Sequence, residues 1–214
     1  MGKSSRGQTA VQTIAMLGNH LPRHCGIATF TTDLSAAISL SMPALDCFVV
    51  AMNDVGTHHA YPPRVRFEIP QGDIEAYRRA ADFLNVNSVD VVSVQHEYGI
   101  FGGKAGGHVL ELLRALRMPV VTTLHTILER PDPVQRAVLE ALVSLSERVV
   151  VRKIKGAGFK SEATKSLALR PFSVLISGAS KARRRRYWRV VVAKPKSIST
   201  KRVSPSTVRS TKAL

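Results

Sequence analysis

The sequence predicts an α/β protein built on a doubly wound, parallel, Rossmann-like sheet. Two observations indicate this fold class. Short apolar runs rich in β-branched residues recur between residues 12 and 151 without polar alternation, as is typical of strands buried on both faces. Between these runs lie segments whose apolar residues repeat with the period of an α-helix. Strands that alternate with helices over short connections favour a parallel sheet with crossover helices.

Five apolar runs are predicted to be the strands of this sheet. They are TIAML (13–17), CFVVAM (47–52), VDVVSV (89–94), PVVTTL (119–124) and RVVV (148–151).

Four amphipathic helices are predicted between the strands. The second is expected to be capped by Asp73, and the fourth by Asp132, with Pro133 at its first position and Gln135 three residues past the cap. Their apolar faces are, in chain order, Ile27, Phe30, Leu34, Ala37 and Ile38; Ile74, Tyr77, Ala81 and Leu84; Val109, Leu112, Leu113 and Leu116; and Val134, Val138, Leu142 and Leu145.

The charge of the chain is unevenly distributed and divides it into regions. The 214 residues carry a net charge of +16, yet residues 1–151 hold 13 Lys and Arg against 14 Asp and Glu. Residues 152–214 hold 18 basic residues and one acidic residue, Glu162. We therefore expect a disordered N-terminus (1–11), a folded Rossmann domain (12–151) and a basic tail of low order (152–214).

Polar side chains follow three of the predicted strands where each strand ends. The third strand leads into Gln95, His96 and Glu97, and the fourth into His125 and Thr126. The first ends in Gly18, Asn19 and His20. In an open parallel sheet, ligands bind beyond the carboxyl ends of the strands, so we expect these residues to line a binding site.

Two glycine-containing segments flank that edge. Gly26 precedes the first predicted helix, where the absence of a β-carbon would let a ligand approach the helix N–H groups; a plain turn is the alternative. The segment GIFGGKAGG, which contains Gly102, is not a Walker loop, because Tyr98 and Ala105 stand where that motif needs Gly and Ser or Thr. We expect it to be a loop that contacts a sugar or a phosphate.

A metal site is not predicted, although it stays open as an alternative. His20, His24 and Cys25 could supply ligands, as could His96, Glu97 and His125, but neither set has a recognised ligand spacing. The two cysteines form no metal-type pair, and no apolar run reaches membrane-spanning length. We expect a cytoplasmic location, with a peripheral position at a membrane as an alternative.

Three segments in order are distinctive when taken together: LPRHCGIATFTTDL (21–34), VQHEYGIFGG (94–103) and VVTTLHTIL (120–128). They resemble the N-terminal domain of retaining glycosyltransferases of family 4, which have the two-Rossmann-domain GT-B architecture. The resemblance implies transfer of a hexose from a nucleotide-sugar to a sugar or glycolipid acceptor, without a metal or other cofactor.

The same resemblance implies roles for particular residues. His125 would lie near the reacting sugar as a positioning and electrostatic residue, and is the candidate catalytic residue. Gln95, His96 and Glu97 would line the acceptor side, while Gly26 would lie close to the donor phosphates or the acceptor. Substrate contact by Gly102 is expected from its glycine-containing loop and not from the resemblance. The nucleotide-sugar would bind mainly to a second Rossmann domain that residues 152–214 cannot supply. We therefore expect a truncated or frame-shifted enzyme whose authentic sequence ends near Val151 and which is inactive alone.

Two other functions are weighed against glycosyl transfer. The segment KARRRRYWR (181–189) combines cations with Tyr187 and Trp188, which would suit nucleic acid or an anionic membrane surface. A basic sequence without any partner is the simpler interpretation of the tail. An oxidoreductase is not favoured, because no dinucleotide fingerprint follows the first strand.

Overall fold

The computed structural model describes residues 11–128 and 130–151 and the backbone of Val192–Ala193. The expectations for the N-terminus (1–11, apart from Val11) and for the basic tail (152–214, apart from Val192–Ala193) lie outside these residues.

The described residues form one β-sheet with helices on both faces, which confirms the predicted α/β fold class. Its strands are β1 (Thr13–Gly18), β2 (Asp46–Asn53), β3 (Val65–Pro70), β4 (Val91–His96), β5 (Val120–Leu124), β6 (Arg148–Val151) and β7 (Val192–Ala193). Its helices are α1 (Gly26–Ser41), α2 (Ile74–Val86), α3 (Val109–Ala115) and α4 (Pro133–Ser144), with a 3₁₀ turn at Lys104–Gly106.

The strand order is β3-β2-β1-β4-β5-β6-β7. Strands β1 to β6 are parallel, and β7 pairs antiparallel with β6. Because the chain moves outward from β1 to β3 and then returns to β4 beside β1, the order reverses between β1 and β4. This reversal is the position at which doubly wound folds bind ligands.

The sheet has two unequal apolar layers. In the larger layer, α2, α3 and α4 pack on one face of the sheet, and its buried residues include Tyr77, Leu112 and Leu142. The smaller packs Leu34 and Ile38 of α1 against Met16, Cys47, Val49 and Ala51. Helix α1 therefore covers one face, and the remaining helices cover the other.

Strand β3 was not predicted from the sequence. The exposure of its side chains alternates, with Arg66, Glu68 and Pro70 exposed, because β3 is the outermost strand on one side of the sheet. A strand at this position is not a continuous apolar run, and so the pattern used to find the other strands fails here.

The predicted apolar face of α1 is not the face that packs most closely on the sheet. The buried residues of α1 are Ala28, Thr31 and Ser35, whereas Ala37 is exposed and the predicted apolar residues flank this stripe. Small side chains let the helix axis approach the strands: Thr31 Oγ1 would lie 3.5 Å from a β-carbon at Gly18. Helix α1 also begins at Gly26 itself rather than after it.

The helix caps of α2 and α4 are confirmed. The Asp73 carboxylate accepts hydrogen bonds from the N–H groups of Glu75 and Ala76. Asp132 and Gln135 form a reciprocal capping box that opens α4. On α4, however, Val134 is 44% exposed, and Leu139 and Val143 join Val138 and Leu142 in the buried face.

Candidate functional site

The carboxyl ends of β1, β4 and β5 are adjacent and bring most of the predicted site residues to one edge of the sheet. Leu17 pairs with Val94, and His96 pairs with Leu124, so the residues that follow these pairs meet at the same level. Asn19, His20, Gln95, His96 and His125 are all buried there. Buried polar side chains usually form hydrogen bonds, and the partners of these bonds determine how the site is organised.

Gln95 is fully buried and binds His125. Its Oε1 lies 3.0 Å from Nε2 of His125, and its Nε2 donates to Oγ of Ser93 at 3.0 Å. The Gln95 side chain packs closely against Gly18, where a β-carbon would lie 2.9 Å from Cβ of Gln95. Gln95 therefore holds His125 from inside the sheet, while its contact with an acceptor stays a prediction.

His125 is fixed from two further directions. Its backbone N–H donates to the carbonyl oxygen of His96 at 3.1 Å. Its ring meets the ring of Phe30 edge-on, with centroids 4.7 Å apart and planes at 83°. Phe30 lies on α1, so the histidine that follows β5 is packed against the helix that follows β1.

His96 occupies different surroundings from Gln95, as expected for successive residues of a strand. Its ring stacks on Phe101 (6.0 Å, 17°) and meets Tyr98 edge-on (5.1 Å). Neither ring nitrogen has a hydrogen-bond partner among the residues that the structure describes. Burial lowers the pKa of His96 to about 4, because the charged imidazolium would lose its hydration.

Glu97 lies just past the end of β4 and is half-buried. Its carboxylate accepts hydrogen bonds from the hydroxyl of Thr126 and, at 3.1 Å, from the N–H of Tyr98. Burial, followed by the charges of Glu97 and Asp132, raises the pKa of Tyr98. The carboxylate of Glu97 is therefore joined to the end of β5.

The turn between β1 and α1 is organised by Cys25 and Arg23. Sγ of Cys25 caps α1 by accepting from the N–H of Ala28 (3.3 Å), and it also accepts from Nδ2 of Asn19 (3.2 Å). The Arg23 guanidinium donates to Asn19 (2.8 Å) and to Asp54 (2.6 Å). Gly26 is exposed, and a β-carbon there would meet nothing within 4 Å. It is thus an accessible position at the start of α1, as a ligand-binding role would require.

Gly102 has a packing requirement of its own. A β-carbon there would lie 1.7 Å from the carbonyl oxygen of Gln71, and its N–H donates to the hydroxyl of Tyr77 at 2.9 Å. Neither contact joins Gly102 to His125 or Glu97. The geometry explains this glycine by close packing against Gln71, in the connection from β3 to α2, while contact with a substrate stays a prediction.

Neither of the two proposed metal-ligand sets comes together in the structure. Within residues 11–128 and 130–151, no three His, Cys, Asp or Glu side chains are arranged to hold a metal ion. His24 is exposed, whereas His20 is buried. The helices among the described residues are also too short or too polar to cross a membrane.

Three residues of the site were not singled out from the sequence. Gly18 and Phe30 were assigned only to a strand end and to a helix face, and Thr126 only to the residues after a strand. The available signal for Thr126 was its place directly after His125. The contacts of Gly18 and Phe30 arise between segments distant in the chain, and no local pattern reveals them.

No family model matches the chain, and no curated protein matches it. Among solved structures, it is similar to an alpha-glucosyltransferase in complex with UDP and a 13-mer DNA (12% identity, TM-score 0.44), covering 65% of this chain and 37% of that one. It is also similar to the apo form of the lipopolysaccharide outer core galactosyltransferase WaaB (12% identity, TM-score 0.44), covering 64% and 38%. A homoserine dehydrogenase of S. aureus is similar too (12% identity, TM-score 0.32), covering 66% and 33%. The chain thus spans well under half the length of these proteins.

Proposed function

We propose that residues 12–151 form the acceptor-binding domain of a glycosyltransferase. The reaction would transfer a hexose from a nucleotide-sugar to a sugar or glycolipid acceptor. One observation carries this proposal: of the three segments whose sequences resemble family 4 glycosyltransferases, the first and the second both contact the third where the parallel strands end.

The contacts involve each of the three segments. Phe30 in the first segment packs on His125 in the third, and Gln95 in the second binds His125. Glu97 in the second accepts a hydrogen bond from Thr126 in the third. The fold brings the ends of β1, β4 and β5 together, and all three resembling segments supply side chains to that place, as a shared binding site would require.

Different residues of the cluster are suited to different tasks. A half-buried carboxylate such as Glu97 can accept hydrogen bonds from ligand hydroxyl groups, and a charged acceptor makes these bonds strong. His125 is held by Gln95, Phe30 and the His96 carbonyl, and such fixed groups lower the cost of orienting a reacting sugar. His125 is therefore proposed as a positioning and electrostatic residue.

The donor is assigned to a second domain by the resemblance, with Gly26 near the donor phosphates or the acceptor. The proposed reaction uses no metal or cofactor, and the nucleotide-sugar is a substrate. We expect the chain alone to show little or no thermal stabilisation by UDP-sugars or GDP-sugars. Strong stabilisation by these donors, or by NAD, would contradict an acceptor-side role.

An array of immobilised glycans and glycolipids tests the acceptor assignment directly. The full chain should bind a subset of the array, and Glu97→Gln should weaken that binding about tenfold, because it removes a charged acceptor. Glu111→Gln, on the surface of α3, is the matched control and should bind like the wild type. The absence of glycan binding, or equal loss in both variants, would refute the proposal.

The salt dependence of glycan binding distinguishes this site from the basic tail. Contacts that depend on exposed cations weaken as ionic strength rises, whereas hydrogen bonds in a half-buried site are screened much less. Glycan binding at the sheet edge should persist at high salt. Binding restricted to anionic glycans and abolished by salt would instead favour the tail as the binding element.

A further inference from the structure

A second polar cluster lies away from His125, where β1 ends and β2 connects to β3. His20 follows β1 and is 2% exposed. Tyr61 and His59 belong to the connection between β2 and β3. Tyr61 meets His20 edge-on at 6.3 Å and His59 edge-on at 5.4 Å, so one aromatic ring joins two imidazoles. We call these three residues the His20–Tyr61–His59 cluster.

The hydrogen bond of His20 fixes which ring nitrogen can accept. Nδ1 of His20 lies 2.6 Å from the carbonyl oxygen of Leu21. A carbonyl oxygen only accepts, so Nδ1 carries the proton of the neutral ring and Nε2 carries the lone pair. Nε2 is buried and has no partner among the described residues. The same is true of Nε2 of His59. Buried polar atoms are nearly always bonded in native proteins, and two unbonded nitrogens on rings that both lie against Tyr61 point to a ligand.

Tyr61 is held in place and is not itself a free group. Its hydroxyl donates to Oδ1 of Asn53 at 2.7 Å, and Nδ2 of Asn53 donates to Oε2 of Glu68 at 2.6 Å. Burial, and then the charge of Glu68, raises the pKa of Tyr61 to about 12, so the hydroxyl stays protonated and donating at neutral pH. The ring therefore serves as a fixed apolar surface between the imidazoles.

The charges near the cluster favour an uncharged ligand. The Arg23 guanidinium is only 15% exposed and already donates to Asn19, to the carbonyl oxygen of Met52 and to Asp54. The carboxylates of Asp54 and Glu68 both act on Tyr61. A phosphate would meet these carboxylates and a cation that is already paired, and so gains little.

We propose that the His20–Tyr61–His59 cluster binds an uncharged polyhydroxylated ring, a sugar or a cyclitol. One ring hydroxyl donates to Nε2 of His20, a second hydroxyl bonds Nε2 of His59, and the C–H face of the ring packs on Tyr61. This inference deepens the proposed function, on which it rests, by assigning part of the acceptor to residues outside the three resembling segments, with His20 directly preceding the first of them.

The test is an NMR titration of the full chain, followed at the histidine ring nitrogens. The probes are methyl α-D-glucopyranoside and myo-inositol as neutral rings, with inorganic phosphate as the anion. A neutral probe at millimolar concentration should shift the Nε2 resonances of His20 and His59. His59→Ala should weaken binding of that probe about tenfold, the loss of roughly one hydrogen bond to a buried group. His58→Ala removes the exposed neighbouring histidine and should leave binding unchanged.

Each outcome of this titration supports or overturns the proposal. Shifts caused by phosphate alone, or no shift with either neutral probe, overturn it, as does equal weakening by His58→Ala and His59→Ala. His59→Ala keeps the test valid if variants of buried His20 do not fold. Because the readout needs no transfer and no glycan array, binding here without Glu97-dependent glycan binding would refute the proposed function but not ligand binding by the His20–Tyr61–His59 cluster. The reverse result would refute only ligand binding by this cluster.

Discussion

A β-carbon at Gly18 would lie 2.9 Å from Cβ of Gln95 and 3.4 Å from its Cγ. The missing side chain of one residue thus creates the space that the other uses to reach His125. This relationship connects β1, β4 and the end of β5, the three strands whose carboxyl ends form the candidate site. The position of His125 therefore depends on Gly18 through Gln95.

Gly18→Ala should destabilise the protein and displace Gln95. The added methyl overpacks a fully buried contact, and such changes cost about 1–3 kcal/mol of unfolding free energy. Chemical denaturation measures this loss, and the ring signals of His125 report the displacement. Gly26→Ala is the matched control, because its β-carbon meets nothing within 4 Å and alanine favours a helix. If both variants are equally stable, the close contact at Gly18 is not what positions Gln95.

Gln95→Leu should loosen His125 without opening the sheet. Leucine is similar in volume but cannot accept from Nε2 of His125 or donate to Ser93, and each lost hydrogen bond costs about 0.5–1.5 kcal/mol. We expect Nε2 to carry the proton in the wild-type ring, because Oε1 of Gln95 accepts from it, and a mixture of ring tautomers in the variant.

Nitrogen chemical shifts of the His125 ring distinguish these tautomers. His24→Ala, at an exposed position in the turn after β1, serves as the control for unrelated changes in histidine signals. An unchanged tautomer in Gln95→Leu would show that Gln95 has no part in orienting His125.

The fold was largely predictable from the sequence because five strands are buried on both faces and so contain uninterrupted apolar runs. Strand β3 escaped prediction since an edge strand alternates, with Arg66 and Glu68 turned outward. The packing face of α1 escaped because close approach to β1 selects Ala28, Thr31 and Ser35, which have low hydrophobicity. Apolar periodicity detects bulky stripes and is insensitive to small ones.

The candidate site was predictable as a location but not as a set of contacts. Strand-end positions correctly brought Gln95, His96, Glu97 and His125 to one edge. Their roles diverge because neighbouring strand residues point to opposite faces: Gln95 holds His125, whereas His96 stacks on Phe101. Whether a buried histidine has a hydrogen-bond partner depends on residues distant in sequence. The local pattern of residue types does not predict these contacts.

His96 should make the protein less stable as the solution becomes acidic. Its pKa is about 4 in the folded protein, against 6.5 for an unperturbed histidine, so the unfolded chain binds the proton more readily between these values. The contribution of His96 is complete above pH 6.5 and is lost as pH falls toward 4. Between about pH 7 and pH 5 the loss is about 2 kcal/mol.

Denaturation at both pH values, for the wild type and for His96→Phe, isolates this contribution. The variant cannot titrate at this position, and its stability should fall by about 2 kcal/mol less over the same interval. Carboxylates such as Asp73 and Asp90, whose pKa values are lowered by hydrogen bonds, act equally in both proteins. Identical acid dependence in the two proteins would contradict a buried, neutral His96.

Thr126→Val should reduce ligand binding more than it reduces stability. The valine keeps the shape of the side chain but removes the hydroxyl that donates to Glu97, leaving the carboxylate with the N–H of Tyr98 as its bond from the described residues. Because Glu97 is half-buried, water replaces much of the lost bond, and the cost in unfolding free energy should stay below about 1 kcal/mol. A carboxylate that rotates freely must be ordered again on binding, and so glycan affinity should fall about fivefold.

A double-mutant cycle with Glu97→Gln separates orientation from a direct role of Thr126. If the hydroxyl acts only by orienting the carboxylate, Thr126→Val should have little further effect once Glu97 has been replaced, since the two residues act as one unit. Denaturation and array binding are measured on all four proteins. Additive losses of affinity would mean that Thr126 contacts the glycan itself, and the carboxylate at the end of β4 would then need no partner from β5.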